Sequence, residues 1–304
     1  MKKLLLLTLF FSLPISFAFG QQCELVRFET KYACPPYVPP TEQALAYSLF
    51  QGVASNLSEE TVIPIAVLGS SYFFDFKDDN PTEISTIASE KYKLVSNDPL
   101  VGPLASTIEY SFTSKRPDFG YYYLYRPDQE NENTRILLFL HGFGGCFKYY
   151  IYFLKKYFPN DVIVFPVYGY SGGIITKEYL SDLWSDFGKK ISICERKPWL
   201  MGISAGGYSV FRFYANGHNS FQGGVSIASL CPDNLISKLN KDMKLLMING
   251  DREQGMSVEL LKNHFNSISR KVDNFESELV DGTHFFLFTK EERVGEIIQD
   301  FIAE

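Results

Sequence analysis

The ten residues from Trp199 to Tyr208 constrain this chain more than any others. An apolar run, Trp199-Leu200-Met201, leads into Gly202-Ile203-Ser204-Ala205-Gly206-Gly207, and helical spacing sets in at once over 208–214. The pattern predicts a strand, a sharp turn with a serine at its tip, and a helix. Gly202 and Gly206 have a physical task in such a turn. It presses the strand and helix backbones together, and a Cβ at either position would clash. The serine is left in strained backbone with its hydroxyl pushed into the open, facing the N-terminal amides of the helix.

The flanking sequence repeats the same alternation. Residues 108–113 and 120–126 read as two strands forming an antiparallel pair. Further strands are predicted at 135–140, 161–167, 223–229, 244–248 and 275–280, besides the one before Ser204. Helical patterns fill 148–158, 177–192, 234–240, 258–272 and 291–303. Strands alternating with helices over this length imply a mostly parallel central sheet with helices on both faces. Ligands sit at the carboxyl ends of strands in such sheets. Here those ends carry His141-Gly142-Phe143-Gly144-Gly145, Ser204, Asn249-Gly250-Asp251-Arg252-Glu253 and Asp281-Gly282-Thr283-His284.

The first 105 residues read differently. Lys2 and Lys3 precede an apolar core at 4–19, and Ala18-Phe19-Gly20 offers small residues at a cleavage spacing. Residues 1–20 are therefore expected to be a signal peptide cut after Gly20, giving a secreted or periplasmic protein with no stable membrane insertion. Residues 21–105 read as an N-terminal extension of unassigned role. Its proline cluster, Pro35-Pro36-Tyr37-Val38-Pro39-Pro40, fits neither helix nor central strand, and Thr41 caps a predicted helix over 42–56. A net charge of -6 with no basic run in the mature chain argues against a nucleic-acid partner. No Cys-x-x-Cys or paired-histidine motif points to a metal, and no dinucleotide or P-loop spacing to a bound nucleotide, so no cofactor is expected.

On four motifs in this order, His141-Gly142-Phe143-Gly144, Gly202-Ile203-Ser204-Ala205-Gly206, Asn249-Gly250-Asp251-Arg252-Glu253 and Gly282-Thr283-His284, the chain resembles the α/β-hydrolase superfamily over 106–304. The resemblance implies an α/β-hydrolase fold with a minimal cap and Ser204 as nucleophile. Among the four histidines, His141 lies in the glycine-rich loop, His218 in a polar turn and His264 inside a predicted helix. His284 follows a strand near the C-terminus, where the family keeps its base. Family spacing places the acid at Glu253, with Asp251 as the alternative; Asp281 shares the turn of His284 and is expected to shape it. The oxyanion donors implied are the backbone amides of Phe143 and Ala205.

The function expected is a secreted serine hydrolase, a carboxylic-ester hydrolase forming an acyl-enzyme on a small-molecule or polymeric ester. The short connection 229–241 leaves the serine open. An acyltransferase, peptidase or lipase with the same triad, or a catalytically silent binding protein, are the alternatives. Export places the five cysteines in an oxidising compartment. Topology then suggests bridges Cys23–Cys34 and Cys146–Cys231, with Cys194 free.

Overall fold

The computed structural model describes residues 20–32, 56–70, 79–112, 118–168, 175–217, 220–253 and 256–303, with positions 48 and 52. The expected signal peptide, the helix over most of 42–56, Cys34 and His218 lie outside the described residues.

Eight strands form one sheet: β1 Gln22–Glu29, β2 Phe119–Arg126, β3 Ile136–Leu140, β4 Val162–Val167, β5 Trp199–Ile203, β6 Gly224–Ile227, β7 Lys244–Gly250 and β8 Asn274–Val280. Their spatial order is β1-β2-β4-β3-β5-β6-β7-β8. β2 pairs antiparallel with both neighbours, and every pairing from β4 to β8 is parallel. Central strands covered on both faces need apolar residues throughout, and β3, β4 and β5 are buried at every position.

One face is covered by helices α1 Glu59–Ser70, α2 Pro81–Asn97, α4 Lys148–Tyr157 and α10 Glu291–Ala303. The other is covered by α5 Lys177–Phe187, α6 Ala205–Gly217, α7 Asp233–Ile236 and α8 Val258–Ser269. Two short helices, α3 Ile108–Phe112 and α9 Phe286–Thr289, complete the described set. No helix among the described residues is long and apolar enough to cross a membrane.

The segment read as an extension contributes to this core. β1 pairs with β2 along its whole length. Helix α2 is well specified: Asn80 accepts the Thr82 N–H at its cap, Pro81 fits the first turn, and Ile84, Ala88, Tyr92 and Val95 form its buried stripe. Glu59 is buried. Its Oε2 accepts the backbone N–H of Lys148 at 2.8 Å, and its Oε1 accepts the Ser106 hydroxyl at 2.7 Å. It thereby caps helix α4, whose own N-cap, Phe147, offers no side-chain acceptor. Burial raises the Glu59 pKa, and the hydrogen bonds from Ser106 and Lys148 only partly oppose it.

Three expectations are corrected. Residues 108–112 are helical rather than a strand, and β2 pairs antiparallel with β1 and β4 instead. A five-residue apolar stretch carries no decisive period, and a pairing between strands so far apart in sequence left no local mark. The Cys146–Cys231 bridge does not form; both are free thiols. Adjacent strand residues point to opposite faces, and the two cysteines pack on different sides of the sheet. Cys146 lies in the cluster holding Leu246 and Ile248, and Cys231 in the cluster holding Leu245 and Met247. Burial pushes the Cys231 thiol up to about 12 and the Cys146 thiol well above its usual value, so both stay protonated. Cys23 is a free thiol as well, so the expected Cys23–Cys34 bridge is corrected with the other, while Cys194 is free as expected.

The tightest backbone packing lies at the turn between β5 and α6. A Cβ on Gly206 would sit 2.1 Å from the Leu140 carbonyl oxygen, and one on Gly202 would sit 2.5 Å from the Gly206 oxygen. Gly69, near the end of α1, has nothing within 4 Å of its Cβ position. Gly206→Ala is therefore expected to cost about 2 kcal/mol or more of stability by forcing β3 and α6 apart, whereas Gly69→Ala should be neutral or mildly stabilising. Urea denaturation midpoints of the two variants check this; equal midpoints would contradict the packing described.

Candidate active site

Four loops meet at the carboxyl edge of the sheet, after β3, β5, β7 and β8. Ser204 ends β5 in a left-handed conformation, φ 53°. That strain is held by its surroundings: its N–H donates to the Ile227 carbonyl at 2.8 Å, and its carbonyl accepts the Tyr208 N–H of the first α6 turn at 3.1 Å. Ser204 is partly exposed.

His284 follows β8. Its Nε2 accepts the Ser204 hydroxyl at 2.9 Å, and its Nδ1–H donates to Glu253 Oε2 at 2.9 Å. The acceptor role of Nε2 and donor role of Nδ1 are the tautomer that a carboxylate on Nδ1 enforces. Glu253 is 1% exposed, while the His284 side chain is 34% exposed. Burial lowers the imidazole pKa, but the hydrogen bond and charge of Glu253 outweigh it, and the net shift is upward.

Asp251, the alternative acid, faces elsewhere. Its Oδ1 accepts the Gly282 N–H at 3.0 Å and pairs with Arg252 at 3.3 Å. It ties the loop after β7 to the loop after β8. The two loops touch so closely that a Cβ on Gly250 would meet the Gly282 oxygen at 2.2 Å. Asp281 is exposed and pairs with Lys290 at 2.9 Å and Arg252 at 2.6 Å, which hold its carboxyl below the usual range.

The loop after β3 lies against the serine: a Cβ on Gly142 would stand 3.1 Å from the Ser204 Cβ. Gly144 and Gly145 take positive φ, 93° and 120°, which a bulkier residue rarely adopts. This loop carries the Phe143 amide, and the Phe143 side chain is 48% exposed. Ala205 is the first residue of α6, so its N–H has no partner within the helix.

His141 orders this loop and is fully buried. Its Nδ1–H donates to the Gly142 carbonyl at 2.8 Å, and its Nε2 accepts the Tyr168 N–H at 3.3 Å. The Tyr168 ring stacks on the imidazole at 3.8 Å, and its hydroxyl donates to the His141 carbonyl at 2.7 Å. Burial pulls the His141 pKa down to about 4, so it is a neutral structural group. His264, on α8, accepts the Cys231 N–H at 3.2 Å, away from Ser204.

The sequence assigned no role to Arg252 or Asp79, and none in ordering the glycine-rich loop to Tyr168. An aromatic after a strand and a charge within a loop are common, and their partners lie far along the chain. Among the described residues no group of three or more His, Cys, Asp or Glu could hold a metal ion.

No protein-family model and no curated protein matches the chain. Among solved structures it is similar to the Pyrococcus furiosus esterase Pf2001, with a TM-score of 0.49 and 14% identity over 61% of this chain and 87% of that one. It is also similar to Est1E from Butyrivibrio proteoclasticus, with a TM-score of 0.46 and 16% identity over 61% and 96%. Naproxen esterase (carboxylesterase NP) from Bacillus subtilis gives a TM-score of 0.45 and 12% identity over 60% and 88%. By the order of its sheet, the reversed direction of β2 and the serine turn between β5 and α6, the chain has the α/β-hydrolase fold.

Proposed function

We propose that this chain is a serine hydrolase, and within that class a carboxylic-ester hydrolase working through an acyl-enzyme. The observation that carries the reading is one imidazole bonded at 2.9 Å to the Ser204 hydroxyl on one nitrogen and at 2.9 Å to the Glu253 carboxylate on the other. A serine hydroxyl is nearly inert at neutral pH and needs such a base.

In this reading His284 takes the Ser204 proton as Oγ attacks the ester carbonyl. Glu253 holds the tautomer and stabilises the imidazolium that forms. The amides of Ala205 and Phe143 donate to the oxyanion. His284 then gives its proton to the leaving alcohol. Water repeats the sequence on the acyl-Ser204 ester and releases the acid. Partial exposure of Ser204 and His284 suits an accessible ester, small or polymeric. The apolar start of the sequence supports export, to the medium or the periplasm.

A fluorophosphonate probe should label the folded wild-type protein at Ser204 and should not label Ser204→Ala. Equal labelling of both, or none of the wild type, would favour a silent binding protein. Glu253→Gln is expected to lower kcat by about 10³ or more, because the carboxylate that fixes the tautomer is lost. Asp251→Asn should cost far less, since its carboxylate serves the loop; steady-state hydrolysis of p-nitrophenyl acetate separates the two, and the opposite ranking would move the acid to Asp251. The pH profile supplies a further check. The base works when neutral, so activity rises with pH through the His284 pKa, and Glu253 raises that pKa. The residual activity of Glu253→Gln should therefore show its acidic limb at lower pH than wild type; a limb unmoved or moved upward would contradict the pairing.

A further inference from the structure

One side chain from outside the β3-to-β8 framework reaches into the loops of the site. Asp79 stands just before helix α2, in the segment the sequence left without a role. Its Oδ2 accepts the N–H of Thr283, the neighbour of His284, at 3.0 Å. Its Oδ1 accepts two N–H groups of Arg252, the neighbour of Glu253, from Nη2 at 2.9 Å and Nε at 3.2 Å. The contacts span 204 and 173 positions of sequence. A single carboxylate thus holds the backbone beside the base and the side chain beside the acid.

The surroundings favour Asp79 as the controlling partner. Arg252 also meets Asp281, but that carboxylate is 62% exposed, whereas the Asp79 side chain is 19% exposed. Exposed pairs contribute little to holding a geometry. Thr283 is buried, so its N–H would lose a partner that water could not readily replace. Arg252 is also tied by its own N–H to the Gly282 carbonyl at 3.0 Å, so displacing it displaces the histidine loop. The charge-assisted bonds from Arg252 are of the stronger kind.

We propose that Asp79 is a positioning residue: it fixes the loops of His284 and Glu253 relative to one another, so that the N-terminal segment completes the triad geometry. This inference rests on the triad reading above. Removing Asp79 should lower the rate within folded sites that still take the label, without loss of substrate binding.

The test measures kcat per active site, with sites counted by end-point titration with a fluorophosphonate, for wild type and Asp79→Ala. The expected result is a full site count, a KM for p-nitrophenyl acetate within about twofold of wild type, and kcat per titrated site lowered by about 10- to 100-fold, the cost of misplacing groups by about an ångström. An unchanged kcat per titrated site, whether the site count is full or reduced, would overturn the proposal, because a merely structural residue changes only how many sites exist. If Asp79→Ala does not fold, Asp79→Asn, which keeps the shape but loses the charge facing Arg252, is held to the same criterion, with a decrease supporting and no decrease overturning it. A wild type that takes no label would overturn the triad reading and this proposal with it, whereas a labelled wild type beside an unaltered variant would overturn the role of Asp79 alone.

Discussion

Backbone contact at the β5–α6 turn is the constraint on which the site depends. The Gly206 Cα stands where an added methyl would overlap the Leu140 carbonyl, and a methyl on Gly202 would overlap the Gly206 carbonyl at the start of the helix. Helix α6 can approach β3 and β5 only because both positions lack a Cβ. That approach leaves Ser204 at positive φ, with the Gly142 loop against its Cβ. The strain is maintained by bonds to β6 on one side and to the first turn of α6 on the other. A partly exposed serine beside a helix N-terminus follows from this packing.

Glu253 and His284 reach the same place because parallel strands end at one edge. β7 and β8 pair in register through Gly250 and Val280, so the loops after them leave side by side. Glu253 comes from one loop and His284 from the other, with Asp251 bonded across the gap. His141 does different work although its ring is of the same kind. Buried and stacked on Tyr168, it is held neutral and shapes the glycine-rich loop. From the N-terminal segment, Glu59 at the start of α4 and Asp79 at the histidine loop each accept a backbone N–H of the strand–helix framework.

Much of this was legible in the sequence because the signals were local. The glycine spacing around Ser204, the apolar runs of β3 and β5, and the Gly282 turn before His284 each declare a conformation within a few residues. The acid loop was legible in its placement after β7. The choice between Glu253 and Asp251 rested on family spacing, and the geometry now separates a carboxylate on the imidazole from one on the Gly282 N–H. What was not legible depended on distant partners. Residues 108–112 have the composition of a strand but fold as a helix, and one of the two strands that pair with β2 begins at Gln22. The cysteine pairing was misjudged because nearness to one sheet edge says nothing about which face a side chain enters. Asp79 carries no local signal in the sequence; its contacts come only from what the fold brings to it.

In the proposed reaction the Ser204 oxygen becomes acylated with His284 as its base. Rapid mixing of the protein with p-nitrophenyl acetate, followed by acid quench and intact-mass and peptide analysis, tests it most directly. The account predicts a burst of p-nitrophenolate of about one per titrated site, with an acetyl group on the peptide carrying Ser204 and no such adduct in Ser204→Ala. A protein that turns over the ester with no adduct, or with the acetyl group on another residue, would contradict it.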